Sequence, residues 1–87
     1  MYTLLFDKEF KKDISKLDNL TRDRILRKVF ELEKIPELGK HLIGIDIWSL
    51  RVGKYRVLYK IKEKELQVLV LTVEHRKNIY ENLGRYR

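Results

Sequence analysis

Two arginines flank a glycine turn in the stretch SLRVGKYRVLYK, residues 49–60. The dipeptide Gly53-Lys54 suits a two-residue hairpin turn that has glycine first. In that tight register Arg51 and Arg56 face each other across the ladder, and like charges opposed in this way are destabilising. Neighbouring guanidinium groups can, however, grip one phosphate through several hydrogen bonds. The spacing therefore predicts an anion-binding site on this hairpin.

A second set of polar side chains follows the last predicted strand. The segment EHRKNIY brings His75, Arg76 and Tyr80 to the end of that strand, and in a helix Arg76 and Tyr80 share a face. These three side chains are candidates to join the anion site. The competing interpretation is that each arginine of the hairpin pairs with a nearby carboxylate, such as Asp46 or Glu74.

The elements that must position these residues form one α+β domain over residues 1–87, in the order β-α-α-β-β-β. A strand at 2–6 precedes a helix that Asp7 can cap, and a second helix follows a DN turn and is bounded by Pro36. The two helices are expected to form a hairpin that packs on a mainly antiparallel sheet. Further strands are predicted at 47–52, 55–62 and 66–73, and the segment after them is a short helix or a loose tail.

The hairpin register also divides the side chains between two faces of the sheet, since a one-residue slip would place Arg56 in the core. The face beneath the helices, called the helix face below, is predicted to hold Trp48, Leu50, Val52, Tyr55, Val57, Tyr59, Val68 and Val70. The opposite face, called the second face, is predicted to hold Ser49, Arg51, Arg56, Leu58, Lys60, Leu69, Leu71 and Val73. The apolar part of the second face needs a cover, from the C-terminal segment or from a partner.

Composition limits the classes of function. The net charge of +7, from 20 Lys and Arg against 13 Asp and Glu, favours an anionic partner, and residues 47–62 contain no acid at all. The chain has no cysteine, and His41 and His75 lie in separate segments without an acidic cluster, so neither a metal site nor a cofactor is expected. No apolar run has the length of a membrane span and the N-terminus is no signal peptide, so we expect a cytoplasmic protein with no membrane partner.

Four sequence features together resemble one family. The helical hairpin is followed by P-x-x-G-K-x-L at 36–42, L-R-x-G-x-Y-R at 50–56 and H-R-x-x-x-Y at 75–80. In this combination the chain resembles the RelE toxins of type II toxin–antitoxin modules, within the wider RelE/ParE superfamily. The resemblance covers nearly the whole chain. It implies an mRNA interferase that cuts messenger RNA in the ribosomal A site and arrests translation.

The resemblance also implies roles for individual residues. Arg56 matches the arginine on the scissile phosphate, Arg76 a second arginine and Tyr80 the tyrosine that orients the message. Arg51 matches a basic strand position that contacts the RNA backbone, and we also expect Lys54, Lys60 and Ser49 to bind RNA. The chain departs from the best-known members at Ile47 and Ser49, where they carry lysines that are implicated in acid–base work and RNA contact.

The implied reaction is attack of a ribose 2′-OH on the adjacent phosphate, without a metal. Arg56 and Arg76 would stabilise the charge on the phosphoryl oxygens, with Arg51 assisting. Because arginine stays charged, the proton acceptor must be another group. The candidates are His75, Tyr80, Lys54 or a group of the ribosome, and the titration range of histidine favours His75.

The resemblance further implies a partner, and two alternative functions stay open. The partner is an acidic antitoxin of RelB type that wraps the basic domain, and the pair would form a heterotetramer that binds promoter DNA through the antitoxin. The first alternative is a ParE-like toxin that inhibits DNA gyrase. The second is a basic RNA-binding module without catalytic activity.

Overall fold

The computed structural model describes residues 1–78, and these confirm the predicted α+β order with one addition. The elements, in chain order, are β1 (Thr3–Phe6), α1 (Lys8–Ser15), α2 (Asn19–Phe30), β2 (Lys40–His41), β3 (Trp48–Val52), β4 (Tyr55–Lys62) and β5 (Gln67–His75). The addition is β2, a two-residue strand in the segment that was predicted as a connection. Two 3-10 turns, Glu31–Glu33 and Pro36–Leu38, lead from α2 to β2.

Each helix begins at an aspartate. The Asp7 carboxylate accepts a hydrogen bond from the Glu9 N–H at 3.0 Å, as the sequence predicts for α1. At the start of α2, Asp18 accepts from the Thr21 N–H at 3.2 Å, and this hydrogen bonding with Thr21 lowers the pKa of the Asp18 carboxyl. The apolar sides of both helices pack on the helix face of the sheet, which with them forms the main core. Its buried members are Phe10, Ile25, Val29, Leu32, Leu50, Val57, Tyr59, Val68, Val70 and Val73.

The sheet has the strand order β1-β5-β4-β3-β2. The strand β1 runs parallel to β5, and the other three pairs are antiparallel. The predicted hairpin register between β3 and β4 is confirmed at all five positions, from Trp48 opposite Tyr59 to Val52 opposite Tyr55. In the turn Gly53 has a φ of +59°, the left-handed conformation that a glycine-first turn requires.

An extra residue in β5 corrects one prediction. Leu58 pairs with Thr72 while Tyr59 pairs with Val70, so Leu71 has no partner of its own and forms a β-bulge. The bulge reverses the alternation of the residues after it. Val73, predicted on the second face, therefore belongs to the main core and is only 3% exposed. That part of the prediction is wrong.

The apolar part of the second face has a cover that the sequence did not indicate. Leu42, Ile45 and Ile47, from the segment between β2 and β3, form a second small cluster over this face. On the sheet they contact Leu58, Leu69 and Leu71. Ile47, one of the two positions where the sequence departs from the family pattern it resembles, is fully buried in this cluster and so has a packing role. Within residues 1–78, no helix is both long and apolar enough to cross a membrane.

Candidate functional site

The predicted pair of arginines exists and is not neutralised. Arg51 and Arg56 are direct partners in the β3–β4 ladder, so both side chains project from the second face. Between residues 1 and 78 the ion pairs are Arg22–Asp23 and Lys28–Glu31, and neither involves Arg51 or Arg56. The competing interpretation, in which each arginine has its own carboxylate, is therefore not supported.

Ser49 holds one of the two guanidinium groups. Its hydroxyl accepts a hydrogen bond from Nη1 of Arg56 at 3.4 Å, and the Ser49 side chain is only 5% exposed. Arg56 is partly buried and its guanidinium is thus held through one terminal nitrogen, while Arg51 is exposed. A tethered guanidinium loses less freedom when it binds an anion, which favours binding.

Glu74 lies on the other side of Arg56. Because of the bulge at Leu71, Glu74 rather than Val73 is the partner of Arg56 in the β4–β5 ladder. The two do not form an ion pair, and Oε2 of Glu74 is buried with no hydrogen-bond partner among residues 1–78. A buried carboxylate oxygen without a donor is costly, and this one lies on the strand position directly beside Arg56. Sequence reasoning considered Glu74 only as a neutralising partner.

The same bulge determines where the C-terminal candidates lie. His75 pairs with Tyr55, and the two rings meet edge to face at 5.6 Å, which puts the imidazole on the helix face, away from Arg56. His75 Nδ1 also accepts a hydrogen bond from the Lys77 N–H at 3.3 Å. This geometry does not favour His75 as a proton acceptor for a phosphate held at Arg56.

Arg76 and Lys54 lie at one end of the hairpin. The backbone N–H of Arg76 donates to the Lys54 carbonyl at 2.9 Å, which ties the turn after β5 to the hairpin turn, and both side chains are exposed. Lys60 is on the second face, four residues along β4 from Arg56, or roughly 13 Å at the rise of a strand. Tyr80, and the choice between a helix and a tail for its segment, lie outside the described residues.

Two lysines that the sequence did not single out complete a basic groove beside the arginine pair. The groove has a volume of about 360 Å³. Its lining residues are Lys28, Leu38, Gly39, Lys40, Ser49, Leu50, Arg51 and Arg56. Lys28 comes from α2, and Lys40 comes from β2, where it pairs with Ser49. We call this the arginine groove; its cations can hold a phosphate from several directions.

The P-x-x-G-K motif acquires a physical explanation here. The buried Tyr59 hydroxyl donates to the Pro36 carbonyl at 2.7 Å and accepts from the Gly39 N–H at 3.0 Å. Burial raises the pKa of Tyr59 to about 12, so the hydroxyl keeps its proton and remains a donor. A Cβ at residue 39 would lie 2.6 Å from the Ser49 carbonyl oxygen, so only glycine fits. The motif thus anchors the chain where Lys40 enters the groove.

The sequence and the fold match those of a known class of protein. Residues 4–80 match the family described as the ParE toxin of the type II toxin–antitoxin system, parDE. The match spans nearly the whole chain, so the chain belongs to the RelE/ParE superfamily of type II toxins.

Within this superfamily, its relatives identify it as a toxin of the RelE family. It is 35% identical over 89 residues to toxin RelG of Mycobacterium tuberculosis, and this alignment covers 91% of this chain and 95% of RelG. A chain of the M. tuberculosis toxin–antitoxin complex RelBE2 superposes with a TM-score of 0.80 at 32% identity, over 86% of this chain and 98% of that one. The isolated E. coli RelE toxin superposes with a TM-score of 0.77 at 26% identity, over 98% and 97% of the two chains.

Proposed function

We propose that this chain is a metal-independent endoribonuclease that cleaves messenger RNA in the ribosomal A site and so inhibits translation. The observation that carries the proposal is the directly opposed pair Arg51 and Arg56, neither of which forms an ion pair within residues 1–78. Membership of the RelE family supports it.

In the proposed reaction the guanidinium groups hold the scissile phosphodiester. The ribose 2′-oxygen attacks phosphorus, a 2′-O–P bond forms and the P–O5′ bond breaks, leaving a 2′,3′-cyclic phosphate and a free 5′-OH. Arg56, positioned by Ser49, stabilises the charge that grows on the phosphoryl oxygens, assisted by Arg51 opposite it and, as the resemblance implies, by Arg76. The 2′-OH proton passes to a base and a second proton reaches the leaving 5′-oxygen. Lys54, Tyr80 and ribosomal groups stay as candidates for these two transfers.

The test is cleavage of a defined message on programmed ribosomes, mapped by primer extension. Arg56→Ala is expected to slow cleavage by about 10²–10³-fold, the usual cost of removing one donor to a developing oxyanion. The matched control is Arg22→Ala, which removes one arginine that pairs with Asp23 outside the groove. Equal activity of the Arg56→Ala variant and the wild type would contradict the proposal.

The match to a family named for ParE supports a second candidate, inhibition of DNA gyrase. A supercoiling assay separates the two functions, because gyrase inhibition without message cleavage assigns the chain to the ParE type. RNA that is retained intact, with binding weakened by Arg56→Ala, would instead indicate a binding module without catalytic activity.

We also propose an antitoxin partner and a cellular setting. Solved relatives include toxin–antitoxin complexes from M. tuberculosis, E. coli and Methanococcus jannaschii. For this chain the partner would be an acidic antitoxin of RelB type that covers the arginine groove and offsets part of the net charge of +7. The pair would act in the cytoplasm and bind promoter DNA as a heterotetramer through the antitoxin. Protection of Arg51 and Arg56 from guanidine-specific labelling in the complex tests this contact.

A further inference from the structure

A second basic groove adjoins the arginine groove and runs round the edge of the sheet onto α2. It has a volume of about 400 Å³. Its lining residues are Arg24, Arg27, Lys28, Glu31, Arg51, Val52 and Gly53. We call it the edge groove. Because Lys28 and Arg51 line both grooves, the two form one continuous surface that starts at Arg56.

The edge groove exists because β2 is short. It covers only Ser49 and Trp48 of β3, so Leu50–Val52 form an open strand edge in front of α2. On the helix, Arg24, Arg27 and Lys28 are three and four residues apart and share one side. The guanidinium of Arg24 reaches the hairpin turn, since a Cβ at Gly53 would lie 3.6 Å from its Nη2. The helix and the hairpin thus contribute cations to the same groove.

The charge in these grooves is one-sided. The cations that line the two grooves are Arg24, Arg27, Lys28, Lys40, Arg51 and Arg56. The one acid lining them is Glu31, which lies 3.5 Å from Lys28. On α1, by contrast, Glu9 and Asp13 are interspersed among the lysines. Gathering cations around a groove is unfavourable by itself, so the arrangement indicates an anionic ligand.

We propose that the edge groove holds the backbone phosphates of the same RNA strand whose scissile phosphate lies at Arg56, on one side of the cleavage point. This inference rests on the proposed function and extends it. An RNA strand fits because the edge groove continues from the arginine groove at Lys28 and Arg51. The forked donors of its three arginines match phosphate oxygens, as they also match carboxylates. Among the residues of 1–78 that line the edge groove, Val52 is the one with an apolar side chain, so an amphipathic helix would find little to bury within the groove itself.

The test compares binding of a short and a long RNA. Fully 2′-O-methylated oligonucleotides of about 4 and about 12 nucleotides, which cannot be cleaved, are titrated by fluorescence anisotropy over a salt series. The variant Arg24→Ala/Arg27→Ala is expected to bind the long RNA about tenfold more weakly, with the salt slope reduced by about 1.4, or about 0.7 for each lost phosphate contact on a single strand. Its affinity for the short RNA should stay within twofold of wild type.

The control variant is Lys11→Ala/Lys12→Ala on α1, which removes the same charge from exposed positions outside both grooves. It should bind both RNAs within twofold of wild type. Thermal unfolding verifies that each variant is folded, and Arg24→Gln/Arg27→Gln, which keeps the side-chain length, repeats the measurement.

Several results would overturn the inference. Equal losses of RNA affinity in the α1 and α2 variants would mean that only the net charge of the protein matters. Equal losses of affinity for the short and the long RNA would mean that the RNA strand does not run along the edge groove. Unchanged RNA binding with weaker binding of an acidic antitoxin peptide would assign the groove to a protein partner. The proposed function is tested separately. If the wild-type protein shows the length-dependent RNA binding but leaves messages on ribosomes uncut, the proposed cleavage is refuted and the RNA-binding role of the edge groove stands.

Discussion

Gly39→Ala is expected to destabilise the protein by about 2–4 kcal/mol. The new methyl group would lie 2.6 Å from the Ser49 carbonyl oxygen and 2.8 Å from the Tyr59 hydroxyl, both inside contact distance. The Ser49 carbonyl belongs to β3 and cannot easily retreat, so residue 39 must move instead. That movement breaks the 3.0 Å hydrogen bond from its N–H to Tyr59. The sum combines about 1 kcal/mol for the hydrogen bond with about 1–3 kcal/mol for overpacking.

The measurement is urea unfolding followed by the fluorescence of the single tryptophan, Trp48. The control is Gly44→Ala, where the added Cβ meets nothing within 4 Å but the φ of +83° is unfavourable for alanine. It should cost about 1–2 kcal/mol for the left-handed backbone alone.

A double-mutant cycle identifies the contact that causes the loss. In a Tyr59→Phe background one of the two clashes is gone, so Gly39→Ala should cost at least 0.5 kcal/mol less, the lower end for residues in contact. The explanation of the P-x-x-G-K motif is refuted if Gly39→Ala costs no more than Gly44→Ala. It is also refuted if the cycle shows no coupling.

Three more predictions concern Tyr59, Glu74 and His75. Folding raises the pKa of Tyr59 from 10.0 to about 12, so the protonated hydroxyl contributes its full share to the free energy of unfolding below pH 10 and loses it as the pH rises towards 12. Urea unfolding should show this loss of stability in the wild type and not in Tyr59→Phe. Glu74→Gln replaces the carboxylate beside Arg56, whose buried oxygen has no donor, by a neutral amide, so the affinity for a non-cleavable RNA should rise about threefold or more with no loss of thermal stability. Weaker RNA binding by this variant would contradict the geometry. His75→Gln should leave message cleavage on ribosomes within about threefold of wild type, since the ring lies on the helix face; a loss near the 10²-fold of a general base would refute this.

The hairpin was predictable because two independent signals agree there. Gly53-Lys54 specifies a short turn, and polar residues alternate with apolar ones on both sides of it, so a shifted register would bury Arg56. The confirmed register brings Arg51 and Arg56 together, and the resemblance to RelE toxins is matched by the family assignment.

The bulge in β5 left no comparable signal. Residues 68–73 read VLVLTV, which is apolar on both faces, so one extra residue changes the strand without exposing anything apolar. The sequence likewise could not indicate that Lys28 and Lys40 line the arginine groove. The position of Lys28 depends on how α2 crosses the edge of the sheet. The position of Lys40 depends on β2, which with two residues is too short to show a periodic pattern.

The unpaired residue Leu71 determines on which face of the sheet the side chains after it lie. Each side chain that follows Leu71 lies on the face that its neighbour would occupy in an uninterrupted strand, which is why Glu74 and not Val73 is next to Arg56. A family member that lacks this one-residue slip would present the neighbouring position to the phosphate. Catalytic or binding roles transferred from that member by an ungapped alignment would then be assigned to the wrong residue, one position away. The cause would be the presence or absence of the bulge in β5.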